Sequence, residues 1–342
     1  MWDTLIIKPL SALLLLLYNV FFQNYGLAII MFCLVTKILL LYFSARGKYS
    51  MLRQTRLAPK QKELERIHGK DKMKYQESIQ KLYQEEGVNP MGGCLWNLLP
   101  FPIFIALYTV IREPLKNLMG LLPDEIARVA EILGVEMTQQ NNYFVQLTIA
   151  EKLHDQFGFV TSQLPAEIAG KLMDINFNFF PGFNLAPIPN LPWQGGWNWL
   201  LLIPFLSAGS QMLAMIIGQK LNPPQQPAQG QGAGIMKNMI YMMPLMSVWI
   251  GFTTPAAMGI YWTASALFGI VQDVYLTKYY NKKLDAEEAH KSDLAARRKA
   301  AEEQMKEEER LRKLESGEDS TKNTSRKKKY RMKNTPSGGR KE

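Results

Sequence analysis

The sequence contains little of what disulfide scaffolds, metal sites and common enzymes need. Two cysteines in 342 residues are too few for a disulfide framework. The three histidines, His68, His154 and His290, are far apart along the chain, so no pair has the spacing of a zinc site. No phosphate-binding Gly-Lys-Ser/Thr loop, Gly-x-Ser-x-Gly elbow or His-Glu-x-x-His motif is present. We therefore predict neither an enzyme nor a bound cofactor.

Apolar and charged residues are concentrated in separate runs. The mean hydropathy of −0.13 is in the range of soluble proteins, but several apolar runs approach the roughly 20 residues that cross a bilayer. We therefore predict an all-α polytopic membrane protein with five transmembrane helices. In chain order the predicted spans are 25–43, 94–111, 197–217, 236–252 and 256–276.

The apolar start of the chain is separated from the first predicted span by polar residues around Asn24. Residues 11–22 have only about two-thirds of the length of a span, so we expect 1–24 to form an external amphipathic helix at the membrane interface. If 11–22 were a further span, the N-terminus would lie inside. A cleaved signal peptide is disfavoured because the start lacks a basic region and a small-residue cleavage site.

The distribution of charge predicts the orientation. The segment 44–93 has eleven basic and six acidic residues, 112–196 has five and nine, and the tail after Leu276 has twenty and thirteen. Since basic loops stay in the cytoplasm, we predict an external N-terminus and an extracytoplasmic insertion over 112–196. The segments predicted to be cytoplasmic are 44–93, a flexible low-complexity loop over 218–235, and the basic tail 277–342.

Two of these cytoplasmic segments are strongly charged. Residues 44–93 have helical periodicity in two arms, interrupted near Gly69, which predicts an antiparallel helical hairpin; a solvated connector is the alternative. In the tail, 285–315 is helical by propensity and 316–342 has the composition of a disordered segment. A basic cluster near its end fits rRNA or anionic lipid, or simply keeps the tail soluble: Arg326, Lys327, Lys328, Lys329 and Arg331.

Lys37 is a charge inside an apolar span. It lies seven residues before Ser44, about 10 Å below the predicted cytoplasmic edge. Its side chain either snorkels to the headgroups or faces a water-filled cavity, and the sequence leaves both open. Other polar residues lie in the same half of the membrane, and they either form hydrogen bonds between helices or line that cavity. They are Ser207, Ser210, Gln211, Ser247, Thr263 and Ser265. A methionine stripe in the fourth span suits packing or an adaptable apolar surface: Met239, Met242, Met243 and Met246.

Two long stretches resemble the YidC/Oxa/Alb family of membrane insertases. Residues 87–108, GVNPMGGCLWNLLPFPIFIALY, resemble the junction between the family's charged hairpin and its next span. Residues 243–273, MPLMSVWIGFTTPAAMGIYWTASALFGIVQD, resemble its last two spans, including the proline-marked turn and the Tyr-Trp pair. The likeness extends to 25–43 and the hairpin, whereas 112–196 matches less well and is typical of a lineage insertion.

The resemblance implies a hydrophilic groove that is open to the cytoplasm and to lipid and closed to the outside. A positive residue in the first span, here Lys37 where the family usually has arginine, attracts the acidic N-terminal tail of a substrate. Gln211 lies one turn before the position of a family glutamine, which Ala214 occupies, and Trp262 matches a groove-side tryptophan. The implied groove residues are Lys37, Ser207, Ser210, Gln211, Trp262 and Thr263, and the implied sliding surface for the substrate is Phe104, Met239, Met242, Met243 and Met246.

The function that the resemblance implies is insertion and folding of nascent membrane proteins in the bacterial plasma membrane. The protein would act alone or with the Sec translocon, without a cofactor or nucleotide hydrolysis. Its expected partners are the ribosome, through the basic tail, anionic lipids and the signal recognition particle receptor. Two other hypotheses are a scaffold that tethers ribosomes beside another translocon, and a transporter or channel, which the scarcity of intramembrane charge disfavours.

Overall fold

The computed structural model describes residues 2–89, 98–137, 143–189, 198–222 and 246–315. No strand occurs within these ranges, and the secondary structure is almost entirely helical. This confirms the predicted all-α class. The chain divides into two compact units, Met1–Tyr280 and Asn281–Glu342.

The first helical segment lies within the predicted 1–24 and begins before the apolar stretch 11–22. A π-helical turn over Asp3–Ile7 leads directly into α1 (Lys8–Val20). The combined helix Asp3–Val20 has 18 residues and is apolar enough to cross a membrane. The argument that this segment is too short for a span was therefore wrong. Pro9 lies at the junction between the π-helical turn and α1 and does not interrupt the combined helix.

The first predicted span, 25–43, is bent. Its straight part is α2 (Tyr25–Leu39), and the chain continues as α3 (Leu41–Arg56) at an angle of 60°. In the last turns of α2, the hydroxyl of Thr36 donates to two carbonyls of its own helix, both at 2.9 Å. Such bonds commonly bend helices, so the apolar run is longer than the straight helix.

The charged segment after this bend contains the predicted hairpin. It consists of α4 (Ala58–His68) and α5 (Lys72–Glu85), which pack against each other; Gln61 Nε2 donates to Tyr83 Oη at 3.0 Å. The predicted first arm is in fact divided between α3 and α4. Pro59 explains the division, because its ring would clash with a carbonyl four residues earlier in a continuous helix.

The second predicted span is described from Leu98 onward. Its helix, α6 (Pro100–Arg112), begins at the first of the two prolines that the sequence places inside the span. Pro100 and Pro102 therefore lie in the first turn, where backbone N–H groups need no intrahelical acceptor.

The segment 112–196 folds against the apolar helices. Its described residues, 112–137 and 143–189, contain five short helices: α7 (Pro114–Asn117), α8 (Pro123–Ile132), α9 (Val145–Asp155), α10 (Phe157–Gln163) and α11 (Ala166–Ala169). Their buried side chains, including Leu115, Ile149 and Leu153, belong to the same hydrophobic cluster as those of α1, α2 and α6. This segment is therefore part of the main core.

The later apolar runs form two long helices. A 3-10 turn over Trp199–Leu201 leads into α12 (Leu202–Leu221), and α13 runs over Ala256–Glu315. Of the fourth predicted span, residues 246–252 are described, and 246–251 are helical. The rest of that span and most of the predicted flexible loop over 218–235 lie outside the described residues.

The number of apolar spans is smaller than predicted when helix length and composition are the criteria. Within the described ranges, Asp3–Val20 and Trp199–Leu221 qualify, and the bent pair α2 and α3 qualifies as a third if it is one span. Helix α6 is apolar but shorter. The structure thus supports two or three spans, and the count of five stays a prediction.

Helices α12 and α13 run parallel within the first unit. Near their N-terminal ends, a Cβ atom on Gly259 would overlap the side chain of Ile203. Near the other end of α12, a Cβ on Gly218 would lie 3.9 Å from Asp273 Oδ2. Both contacts place a glycine where the two helices approach closely, as is common between membrane helices.

The second unit is described from Asn281 to Glu315 and is the continuation of α13. This part includes the helix predicted over 285–315. Its side chains are mostly exposed and form ion pairs within the helix, such as Arg297 with Asp293 at 3.0 Å. Exposed pairs of this kind contribute little stability.

Candidate functional site

A pocket of about 280 Å³ surrounds the side chain of Lys37. Residues of α2, α3 and α13 line it: Lys37, Ser44, Lys48, Gly269, Gln272 and Asp273, together with apolar neighbours. Lys37 is the only one of the six predicted groove residues in this lining. The polar character of the pocket therefore comes mainly from residues that the sequence reasoning did not select.

Lys37 lies near the middle of the apolar part of the molecule. It follows Gly26, in the first turn of α2, by eleven residues, or about 16 Å at 1.5 Å per residue. That is roughly half of the 30 Å thickness of a hydrocarbon core. The side chain is half-buried, and its Nζ lies 3.3 Å from the position that a Cβ on Gly269 would occupy. The amine thus lies close to the backbone of α13 at Gly269, and an added Cβ there would require it to shift slightly.

The ammonium group of Lys37 has no hydrogen-bond or ion-pair partner within the described ranges. The one carboxylate in the pocket, Asp273, instead forms an ion pair with Lys48. The Lys48 side chain is only 7% exposed, against 32% for Asp273. Lys48 and Asp273 thus neutralise each other, and Lys37 is the uncompensated charge of the pocket.

Asn222 completes the surroundings of Lys48. With its amide oriented to satisfy its hydrogen bonds, the side-chain oxygen accepts from Lys48 Nζ at 2.6 Å and the nitrogen donates to Leu221 O at 3.2 Å. Lys48 therefore links α3 to α12 and α13 at one end of the pocket. Neither Asp273 nor Lys48 is among the site residues predicted from the sequence.

The predicted polar residues of α12 form a separate cluster. Gln211 Nε2 donates to Ser207 Oγ at 3.1 Å, and Ser247 Oγ donates to Gln211 Oε1 at 3.1 Å. Ser210 Oγ donates to the carbonyl of Ser207 at 2.8 Å. The bond between Ser247 and Gln211 connects α12 to the helical stretch 246–251, whereas the other two bonds lie within α12. None of these residues is in the lining of the Lys37 pocket.

The remaining predicted residues have structural contacts or lie elsewhere. Thr263 Oγ1 donates to Gly259 O within α13 at 2.8 Å. Trp262 is half-buried and stacks on Phe104, with ring centroids 6.1 Å apart, and Met246 is 56% exposed. The other predicted residues lie outside the described ranges: Met239, Met242, Met243, Arg326, Lys327, Lys328, Lys329 and Arg331.

At the end of the helices opposite to Asp273, one stretch of the 112–196 segment crosses several helix ends. We call this stretch, residues 176–187, the strap. It is hydrogen-bonded to the ends of α1, α2 and α13. The bonds are Asn176 N to Tyr18 Oη (2.9 Å), Asn24 Nδ2 to Phe179 O (2.6 Å), Ala256 N to Pro187 O (3.0 Å) and Ala257 N to Leu185 O (3.0 Å). Two N–H groups at the start of α13 are thereby satisfied.

Comparison with known families covers the part of the chain that contains the pocket. The family model described as the 60Kd inner membrane protein matches residues 16–283, which include α2, the pocket and the first part of α13. The chain belongs to this family. It is the YidC/Oxa/Alb family, so the resemblance noted in the sequence is confirmed.

Several bacterial relatives, all named Membrane protein insertase YidC, match the chain. The protein of Cellvibrio japonicus is 29% identical over 279 residues, which are 81% of this chain and 36% of that protein. The protein of Agrobacterium fabrum is 26% identical over 286 residues, 83% and 38% of the two chains. That of Histophilus somni is 43% identical over 115 residues, 34% and 21%. The chain thus spans less than two-fifths of the length of these relatives.

Proposed function

We propose that this protein is a membrane protein insertase and chaperone that moves client segments into the bilayer without nucleotide hydrolysis. The observation that carries the proposal is the ammonium group of Lys37. It lies about halfway along its span, in a pocket, with no anionic partner within the described residues. An intramembrane charge without a partner is expensive and is by default functional.

In the proposed mechanism, the acidic N-terminal tail of a client enters the pocket and is attracted by Lys37. Two opposite charges 4 Å apart attract each other by about 4 kcal/mol at an effective dielectric constant of 20. The pocket also shortens the apolar distance that the polar tail must cross. The client's apolar helix is then buried in lipid, at about 25 cal/mol per Å², and this burial supplies the driving force.

The exposed apolar side chains of the bundle supply a surface along which a client helix can move. Among the predicted members of this surface, Met246 is largely exposed, whereas Phe104 packs against Trp262. On α12, Leu206 and Leu213 are about half exposed. The strap supports a groove closed at the far end, because it joins three helix ends there.

The orientation and the partners belong to the same proposal. The basic hairpin and tail favour a cytoplasmic location for both, with the N-terminus and the 112–196 segment outside. Cooperation with the Sec translocon, the ribosome, anionic lipids and the signal recognition particle receptor is proposed from the family alone.

The proposal is tested by reconstituting the purified protein in liposomes with a small single-span client that has an acidic N-terminal tail. Protection of the tail from external protease measures insertion. Lys37→Glu should reduce insertion at least tenfold, a loss of roughly 1.4 kcal/mol or more, since repulsion replaces attraction. Lys37→Arg should retain most of it.

A client with a neutral tail is the matched control and should be affected much less by Lys37→Glu. Equal insertion by the Arg and Glu variants would remove Lys37 from the mechanism. Insertion no greater than in empty liposomes would contradict the proposed function itself.

A further inference from the structure

An exposed aromatic turn protrudes from the middle of the strap. Phe179 N donates to Phe183 O at 3.0 Å, and Gly182 has a φ of +79°, which lets the chain reverse within a few residues. Phe180 stacks on Phe183 with centroids 4.6 Å apart, yet 53% of Phe180 is exposed. The backbone is therefore hydrogen-bonded at Phe179 and Phe183, whereas the side chain of Phe180 between them is not buried.

Phe179 places this turn at the end of the first apolar helix. Its ring lies against Gly26, where an added Cβ would overlap it. Its carbonyl accepts a hydrogen bond from Asn24, and the same Asn24 side chain caps α2 by accepting from Leu27 N at 2.9 Å. Since the apolar run of α2 begins here, the turn lies level with the start of that run.

Other exposed aromatic residues mark the same level. Phe22, in the connection between α1 and α2, is 90% exposed, and Trp199, at the start of the α12 span, is 74% exposed. Trp199 is at this end because the neighbouring Ile203 packs on Gly259, near the start of α13, which is itself bonded to the strap. Aromatic side chains at the ends of several spans are typical of the membrane–water interface.

We propose that the turn Phe179–Phe183 is a membrane anchor, which inserts Phe180 among the lipids at the interface on the Asn24 side of the bilayer. The partner is lipid, because the turn is continuous with the ends of the spans and is level with Phe22 and Trp199. The anchor would hold the 112–196 segment flat on the membrane and fix the strap over the helix ends. It requires that α2 and α12 span a bilayer, but not that the protein inserts other proteins.

Depth measurement by electron paramagnetic resonance tests this inference. Phe180→Cys is spin-labelled in a Cys33→Ala, Cys94→Ala background of the full chain and reconstituted in phosphatidylcholine–phosphatidylglycerol liposomes. We expect the label to collide readily with oxygen, which dissolves in lipid, and poorly with a water-soluble nickel chelate. Glu131→Cys, on the exposed face of α8 in the same segment, is the control and should show the reverse preference.

Each result decides the proposal. A label at 180 that collides freely with the nickel chelate lies in water, and one shielded from both reagents lies against protein, such as a second copy of this chain; either overturns the anchor. If the label at 180 prevents folding, Pro181→Cys, at the exposed neighbouring position of the same turn, replaces it and should show the same preference for oxygen. The insertion assay on the unlabelled protein is a separate measurement, so failure of the anchor and failure of the proposed function are distinguishable.

Discussion

The two lysines of the pocket illustrate how burial and pairing decide what a charged residue does. Lys48 is almost completely buried and has a carboxylate and an amide as partners. Lys37 is less buried and has neither among the described residues. A buried, paired charge contributes mainly to the arrangement of its neighbours, whereas an unpaired charge in a pocket is available to a ligand. The sequence shows two lysines eleven positions apart and does not separate these roles.

Replacing one member of the Lys48–Asp273 pair should destabilise the protein unequally. Asp273→Ala leaves the more buried Lys48 with Asn222 alone, and we expect a loss of about 3 kcal/mol. Lys48→Met should cost less, since the carboxylate left behind is more exposed. The double variant Lys48→Met, Asp273→Leu should recover most of the loss. Thermal unfolding in detergent micelles measures all three.

The control for this series is Glu77→Ala, which removes the exposed ion pair with Lys81 and should change stability by at most about 1 kcal/mol. If Asp273→Ala is as mild as Glu77→Ala, the buried pair does not hold α3 against α13.

In the segment 112–196, one ion pair predicts a pH dependence. Glu125 accepts from Lys171 Nζ at 2.6 Å and from Leu122 N at 2.7 Å, and these bonds lower the pKa of its carboxyl, that from Lys171 most. A lowered carboxyl pKa stabilises the fold above the unfolded-state pKa of about 4.3. That stability is lost as the pH falls through the folded-state pKa.

Glu125→Gln should therefore give a small decrease in melting temperature at pH 7 that disappears in acid, below both pKa values. Melting curves at a series of pH values measure it. Glu131→Gln, an exposed position on the same helix, should show no such pH-dependent difference. A constant decrease at every pH would mean that the side-chain shape of Glu125, and not its charge, matters.

At the scale of the elements, close helix approach depends on single glycines. Gly259 faces Ile203 so closely that even a methyl group has no space, whereas Gly209, on the exposed face of α12, has no atom within 4 Å of its added Cβ. Both are glycines in apolar helices, and the sequence does not distinguish them. The difference arises from which face of each helix meets a neighbour.

We expect Gly259→Ala to cost about 1–3 kcal/mol, as overpacked cores do. Gly209→Ala should be neutral or stabilising by up to about 1 kcal/mol, because alanine favours helix and meets no obstacle. Chemical unfolding in mixed micelles compares the two. Equal effects would show that α12 and α13 separate easily at this point.

The bend between α2 and α3 is another finding at this scale. The apolar run predicts one span up to residue 43, but the helix axis turns by 60° before that point. The turn brings Ser44 and Lys48 of α3 into the lining of the Lys37 pocket. A straight helix over the same residues would have continued along its own axis, so the bend helps to form the site.

For the whole molecule, the division into two units separates the proposed insertion pocket from the charged extension. All lining residues of the pocket belong to the unit that ends at Tyr280. The basic cluster that the sequence predicts to contact the ribosome belongs to the second unit. The insertase hypothesis therefore depends mainly on the first unit, whereas the ribosome-tether hypothesis depends on the second.

A truncation after Tyr280 should retain most insertion of the small acidic-tailed client in ribosome-free liposomes, because the first unit keeps its pocket and core. Insertion of ribosome-bound clients should fall in part. Complete loss in the ribosome-free assay, with an unchanged melting temperature of the first unit, would favour the tether over the insertase. The full-length chain with Arg326, Lys327 and Lys328 changed to Ala is the matched control for lost basic charge.

Much of the helical organisation follows from local patterns. The positions of the charged hairpin and of the helix over 285–315 follow from periodicity and propensity. The family follows from two contiguous motifs. Helix ends were less predictable: the straight part of α2 ends at Leu39, before the predicted end of its span at residue 43. Hydropathy measures solubility in lipid, and it does not report where a backbone bends.

The sequence by itself determined the helical class, the family and the presence of one unusual charge, Lys37, in an apolar run. These depend on residues close together in the chain. Only the tertiary structure decided that Lys48 pairs with Asp273, 225 residues away, that Gln211 bonds to a neighbouring helix, and that the strap joins three helix ends. These contacts join residues that are far apart in the sequence, so no periodicity or short motif predicts them. They depend on which faces of the helices pack against each other when the apolar surfaces are buried.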